Sequence, residues 1–155
     1  MKKALHIAVA AAFLAGIGFS VPVLADGKSD IKERKAAMKA SSKATKSLKK
    51  LIGDPAMNQA KIIKAAKTLV SNAAKNDKLF SKGSDKMAGK TRAKDAIWTD
   101  MAGFKKKNGA FKKAAATLLA SAQAGDAAGM KKARGAVGKS CGGCHKLFRG
   151  KKKKS

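Results

Sequence analysis

The sequence predicts an all-α protein, an antiparallel four-helix bundle. Three observations predict it. Alanine and lysine dominate, Tyr is absent and β-branched residues are sparse, a composition that favours helix over strand. Apolar residues recur at three- and four-residue spacings in four stretches. Two of the three connections between those stretches are short, which sets consecutive helices antiparallel.

The chain opens with a segment of a different kind. Met1-Lys2-Lys3 is a short positive start, Ala4 to Val21 are almost all apolar or small, and Val23-Leu24-Ala25 supplies small residues at a cleavage site before Asp26. That pattern predicts a secretory signal peptide over 1–25, cleaved after Ala25, and a periplasmic mature domain over 26–155. No second apolar run follows, so a permanent anchor is not expected.

Helix one is expected from about Asp30 to Ile52. Ile31, Met38, Thr45 and Ile52 repeat at seven, with Leu48 and Leu51 beside them; Asp30 reads as the N-cap and Gly53-Asp54-Pro55 as the stop. Helix two is expected from about Asn58 to Lys75, with Ile62, Ala66, Leu69 and Ala73 on one face. Asn76 to Arg92 has no sustained period and reads as a loop whose Leu79-Phe80 pair tucks into the core. Helix three is expected from about Lys94 to Ala122, striped by Ile97, Met101, Phe104, Phe111 and Leu118, with Asn108-Gly109 a weak point able to bend it. Gly125 then Asp126 form a C-cap and an N-cap. Helix four runs from about Ala127 to Phe148, with Met130, Val137, Cys141, Cys144 and Phe148 near one stripe.

The composition leaves the core short of material. Only 24 of the 130 residues after Ala25 are Ile, Leu, Val, Met, Phe or Trp, a proportion at which a highly charged chain is doubtfully globular. Either the chain is a disordered basic protein, or something other than side chains fills its core.

The chemistry lies near the C-terminus, in Cys141-Gly142-Gly143-Cys144-His145. This C-x-x-C-H spacing is that of a c-type haem attachment site. On a helix, residues three and four apart share a face, so Cys141 and Cys144 can link the two vinyl groups of one porphyrin. His145 then offers a ring nitrogen to the iron, and the glycines leave room for the flat ring. A thioredoxin-like dithiol would follow a strand, and none is expected here. A structural zinc site would be one ligand short. A plain disulfide would leave His145 without a role. One covalent haem c per chain is therefore expected; it also supplies the missing apolar core.

Other classes fall away. Two cysteines cannot form a disulfide framework, no phosphate-binding glycine loop is present, and the one histidine outside the signal segment is committed to the motif. No group suggests an enzyme.

An exported four-helix pattern ending in C-x-x-C-H-x-x-F-R resembles the class II cytochromes c, the cytochrome c′ family and its low-spin relatives. Cys141 to Arg149 carry the resemblance most specifically. Ile31-Lys-x-Arg34-x-x-x-Met38 and Ile97-Trp98-x-Asp100 add to it. The resemblance implies thioethers at Cys141 and Cys144, His145 as proximal iron ligand, Arg149 as a basic residue near the proximal face, and Arg34 on a haem propionate. It leaves two roles for Met38. In the low-spin branch a methionine here is the sixth ligand; in cytochromes c′ the position holds an apolar residue, sometimes methionine, that crowds a vacant sixth site. The local run around Met38 favours the low-spin branch, hence an electron carrier. The alternative is a five-coordinate protein binding small gases such as nitric oxide. Met57, Met87, Met101 and Met130 read as core or loop residues, and Trp98 as a packing residue.

Charge adds an expectation of its own. Thirty-six Lys and Arg face nine Asp and Glu, a formal net charge of +27, or +25 once Lys2 and Lys3 leave. A basic tail, 151–155, follows the motif. Docking to an acidic redox partner protein or an anionic membrane surface is expected; a merely solvated tail is the other reading. Nucleic acid is not expected, since an exported haem protein does not meet the chromosome. The family's homodimer would use the first two helices, where lysine repulsion opposes it.

Overall fold

The computed structural model describes residues 27–151; residues 1–26, which include the expected signal segment, and Lys152 to Ser155 lie outside the described residues. Five helices follow in order: α1 (Gly27–Leu51), α2 (Pro55–Leu79), the single turn α3 (Ala96–Thr99), α4 (Met101–Gln123) and α5 (Ala127–Phe148). The four long ones form the expected bundle. α1 packs on α2, α2 on α4 and α4 on α5 along most of their lengths, whereas α1 and α5 touch only briefly.

Local chemistry sets most boundaries. Asp54 caps α2, accepting from the Met57 N–H at 3.4 Å, with Pro55 in the first turn where its missing N–H costs nothing. Gly125 takes φ +70°, and Asp126 accepts from the Gly129 N–H at 2.9 Å, so α5 begins where the sequence predicts.

Three expectations are corrected. Asp30 is not an N-cap: α1 already starts at Gly27, and the Asp30 carboxylate instead accepts a hydrogen bond from Ser81 Oγ. Helix three is interrupted, because Asp100 adopts φ −127°, ψ 61° and turns its carboxylate back to cap Gly103 N–H at 2.8 Å. The weak Asn108-Gly109 point does not interrupt α4, which runs unbroken from Met101 to Gln123. Asn108 is 3% exposed and bridges to α2, donating to Ala73 O at 3.1 Å and Asp77 Oδ1 at 2.8 Å while accepting from Asn76 Nδ2 at 3.0 Å.

Those bonds also explain why α2 runs four residues beyond its expected end. Asn76 and Asp77 are poor interior helix formers because their side chains compete for backbone groups. Here α4 occupies both side chains. Asn72 forms a similar tie to α1, donating to Ala37 O at 3.1 Å and Ser41 Oγ at 3.0 Å. Replacing Asn108 by leucine removes two donated bonds and leaves Asn76 Nδ2 buried without an acceptor. It is expected to cost about 1–2 kcal/mol, read as a lowered denaturant midpoint; an unchanged midpoint would show the tie to be dispensable.

The core divides into two clusters. One is built on Leu48, Ile62, Leu69, Leu118, Met130 and Val137, all fully buried. The other gathers Leu79, Phe80, Ile97, Phe104 and Phe148. The Leu79-Phe80 pair is buried as expected.

Candidate functional site

α5 presents the motif. Cys141 and Cys144 are one turn apart, both thiols free and half-buried. They pack at the junction of the core: Cys141 against the first cluster, Cys144 against the second. Burial pushes both thiols above their ordinary range; at Cys144 the neighbouring Cys141 adds to the rise and Lys107 opposes it. A reactive dithiol needs the opposite shift, so the electrostatics argue against a disulfide-exchange centre.

His145 is half-buried beside them. Burial first, then the positive charges of Arg149 and Arg92, hold its imidazole below the ordinary histidine range. A neutral ring is the form that can coordinate a metal. A Cβ added at Gly142 or Gly143 would meet no atom within 4 Å. Among the described residues, no group of three or more His, Cys, Asp and Glu side chains gathers to hold a metal ion. Two thiols on one helix face, a neutral imidazole, open glycine backbone and limited α1–α5 contact fit a covalently attached porphyrin.

Met38 on α1 is half-buried and packs into the second cluster, as do Cys144, Trp98 and Met101. Of the other methionines, Met130 is fully buried, while Met57 and Met87 are 80% and 86% exposed.

Arg34 is 3% exposed. Its guanidinium donates to Leu79 O at 3.4 Å, Ser84 Oγ at 3.0 Å and Thr91 Oγ1 at 2.9 Å. It lies over the Phe80 ring at 5.0 Å and the Trp98 ring at 5.6 Å. Trp98 Nε1 in turn donates to Ser81 O at 2.8 Å. The packing residue Trp98 is thus one wall of an arginine box that ties α1 to the segment after α2. Nothing in the local sequence of that segment marks Ser84 and Thr91 as partners of a residue fifty or more positions away.

Arg149 is exposed and extends from the end of α5, its N–H returning to His145 O at 3.1 Å. Ala93 and Arg149 form an antiparallel bridge. Around it Lys94 N–H donates to Phe148 O at 3.0 Å, Gly150 N–H to Arg92 O at 2.7 Å, and Arg92 Nε to Gly150 O at 2.9 Å. Arg92, which lies outside the C-x-x-C-H motif, therefore clamps the chain just beyond it. A basic residue within an otherwise loop-like stretch is a weak sign of such a role.

Comparison with known proteins agrees with this geometry. The family model described as Cytochrome C′ matches residues 29–149. The cytochrome c′ of Alcaligenes xylosoxydans xylosoxydans is 40% identical over 60 residues, 39% of this chain and 47% of its own. The chain spans about half the length of the curated relatives it matches. Among solved structures, cytochrome c′ from Thermochromatium tepidum has a TM-score of 0.73 at 26% identity, over 81% of this chain and 97% of that one. The nitric oxide complex of a leucine-to-alanine mutant of cytochrome c prime from Alcaligenes xylosoxidans has a TM-score of 0.71 at 28% identity, covering 83% and 98%.

Proposed function

The chain belongs to the cytochrome c′ family, whose cofactor is covalent haem c, and from that premise we propose that it is an exported, five-coordinate haem protein that binds small gases such as nitric oxide. Cys141 and Cys144 would hold the haem through two thioether links, and His145 would offer a ring nitrogen to the iron. The bound haem supplies an iron able to take one diatomic molecule. Arg149 keeps a positive charge near His145, and the Arg92 clamp holds that end of α5 in place.

The observation that carries this reading is the setting of Met38. Its side chain packs into an apolar cluster with Ala37, Phe80, Ile97, Phe104 and Phe148. A thioether held by such packing acts as a wall that admits a small neutral molecule and excludes water and larger ligands. The nitric oxide complex of a family relative supports the same reading. The order of the two readings drawn from the local run around Met38 is thereby reversed: electron transfer through a Met38–iron bond becomes the alternative.

Absorption spectroscopy decides between them. The haem-loaded protein is expected to be high-spin, to shift on addition of nitric oxide, and to keep its resting spectrum in Met38→Ala. A low-spin resting spectrum with a sulfur-to-iron band that disappears in Met38→Ala would overturn the proposal in favour of the electron carrier.

The export half of the proposal rests on the leader pattern over 1–25. Among the described residues no helix is long and apolar enough to cross a membrane.

A further inference from the structure

We propose that α1 forms a docking face for an anionic lipid bilayer, through the exposed stripe Lys32, Lys35, Lys39, Lys43, Lys46 and Lys50. These six recur at intervals of three and four, and all are exposed. At 100° per residue they fall within a sector of roughly 80° and run about 27 Å along the helix.

The stripe carries no compensating charge. The acidic residues of α1 are Asp30 and Glu33, and both fall on other sectors of the helix; Asp30 is held by Ser81. The ion pairs found among the described residues, Lys86–Asp95 and Lys112–Asp77, lie elsewhere. The core-facing residues Ile31, Arg34, Ala37, Ser41, Ala44 and Leu48 fix the rotation of α1, so the lysine sector faces outward.

The occupant follows from charge complementarity and from what the stripe lacks. Protein–protein interface cores are depleted in lysine and anchored by aromatic side chains. This sector has no aromatic or large apolar side chain to desolvate. A rigid acidic protein would have to present carboxylates in register along some 27 Å of straight helix. A bilayer presents a plane of mobile anionic headgroups that adjusts to any spacing, and each nearby lysine strengthens such binding about fivefold. One end of the stripe also has an apolar foothold. Lys35 Nζ donates to Lys90 O in the adjacent loop, where Met87 stands 86% exposed between Lys86 and Lys90.

The test is co-sedimentation of the haem-loaded protein with vesicles of phosphatidylcholine containing one-third phosphatidylglycerol, against pure phosphatidylcholine. Binding to the anionic vesicles alone is expected at low salt, and release as the Debye length shrinks to about 3 Å at 1 M. Combining Lys32→Gln, Lys39→Gln and Lys46→Gln is expected to weaken binding about 100-fold. A control removes the same charge from exposed positions on α4 and α5, as Lys106→Gln, Lys113→Gln and Lys139→Gln, and is expected to keep most of it. Circular dichroism confirms that both triple variants fold. Absence of binding to the anionic vesicles at low salt overturns the proposal. Equal losses in the two triple variants overturn it as well, because net charge and not the stripe would then be the cause.

Discussion

Cys141→Ala combined with Cys144→Ala is expected to abolish haem staining after denaturing electrophoresis, while the parent protein keeps it in full. Once the chain unfolds, an imidazole–iron bond from His145 cannot retain the ring, whereas a thioether is a covalent carbon–sulfur link. Either single variant keeps one link and should stain, at reduced yield. The double variant is also expected to lose thermal stability. The bundle has few large apolar side chains, and Cys141 and Cys144 pack against different core clusters. A group held between those clusters stabilises the folded chain by binding it and not the unfolded one. Haem that stays with the double variant through denaturation would place the attachment elsewhere.

Arg34→Ala is expected to destabilise the protein by about 2–4 kcal/mol, with the damage concentrated in residues 80–95. Three hydrogen bonds from a charged donor are lost, together with the cation's contact with Phe80 and Trp98. The loss is smaller than the sum of those contacts, because burying a guanidinium is itself costly and that cost disappears with the charge. The box shows the cost: burial lowers the Arg34 pKa, and Asp30 and Asp85 only oppose that shift from a distance. Arg34→Lys should rescue little, since one ammonium cannot reach three acceptors and lie flat against two rings. Hydrogen exchange should quicken in 80–95 far more than in α4. Uniform loss of protection, or a change below about 0.5 kcal/mol, would remove Arg34 as the organiser of this segment.

Legibility in the sequence followed the range of the interactions involved. The bundle, the Gly125-Asp126 junction and the extent of α5 rest on spacing and capping within a few residues, and the structure reproduces them. The C-x-x-C-H motif is local too, since its three residues lie within one and a half turns of α5, and the family's haem c agrees with the cofactor it implies. Boundaries were misread where a distant partner intervened. α2 continues through Asn76 and Asp77 because Asn108 and Lys112 of α4 occupy their side chains. The third helix is split because Asp100 caps α4, and because residues 92–94 pair with 148–150 instead of starting a helix.

By itself, then, the sequence determined the four-helix bundle, the C-x-x-C-H spacing and the excess of positive charge, all of which are local or additive. Only the tertiary structure decided which polar groups are buried and what satisfies them. It decided that Arg34 sits in a box of two rings and two hydroxyls, that three asparagines tie the bundle together, and that Arg92 clamps the chain beyond His145. It also decided that the lysine sector of α1 faces outward, since the rotation of a helix is fixed by the faces it buries against its neighbours. A buried polar side chain must find its partner wherever the fold places one. Those partners stand more than thirty residues away along the chain, beyond the reach of any local pattern.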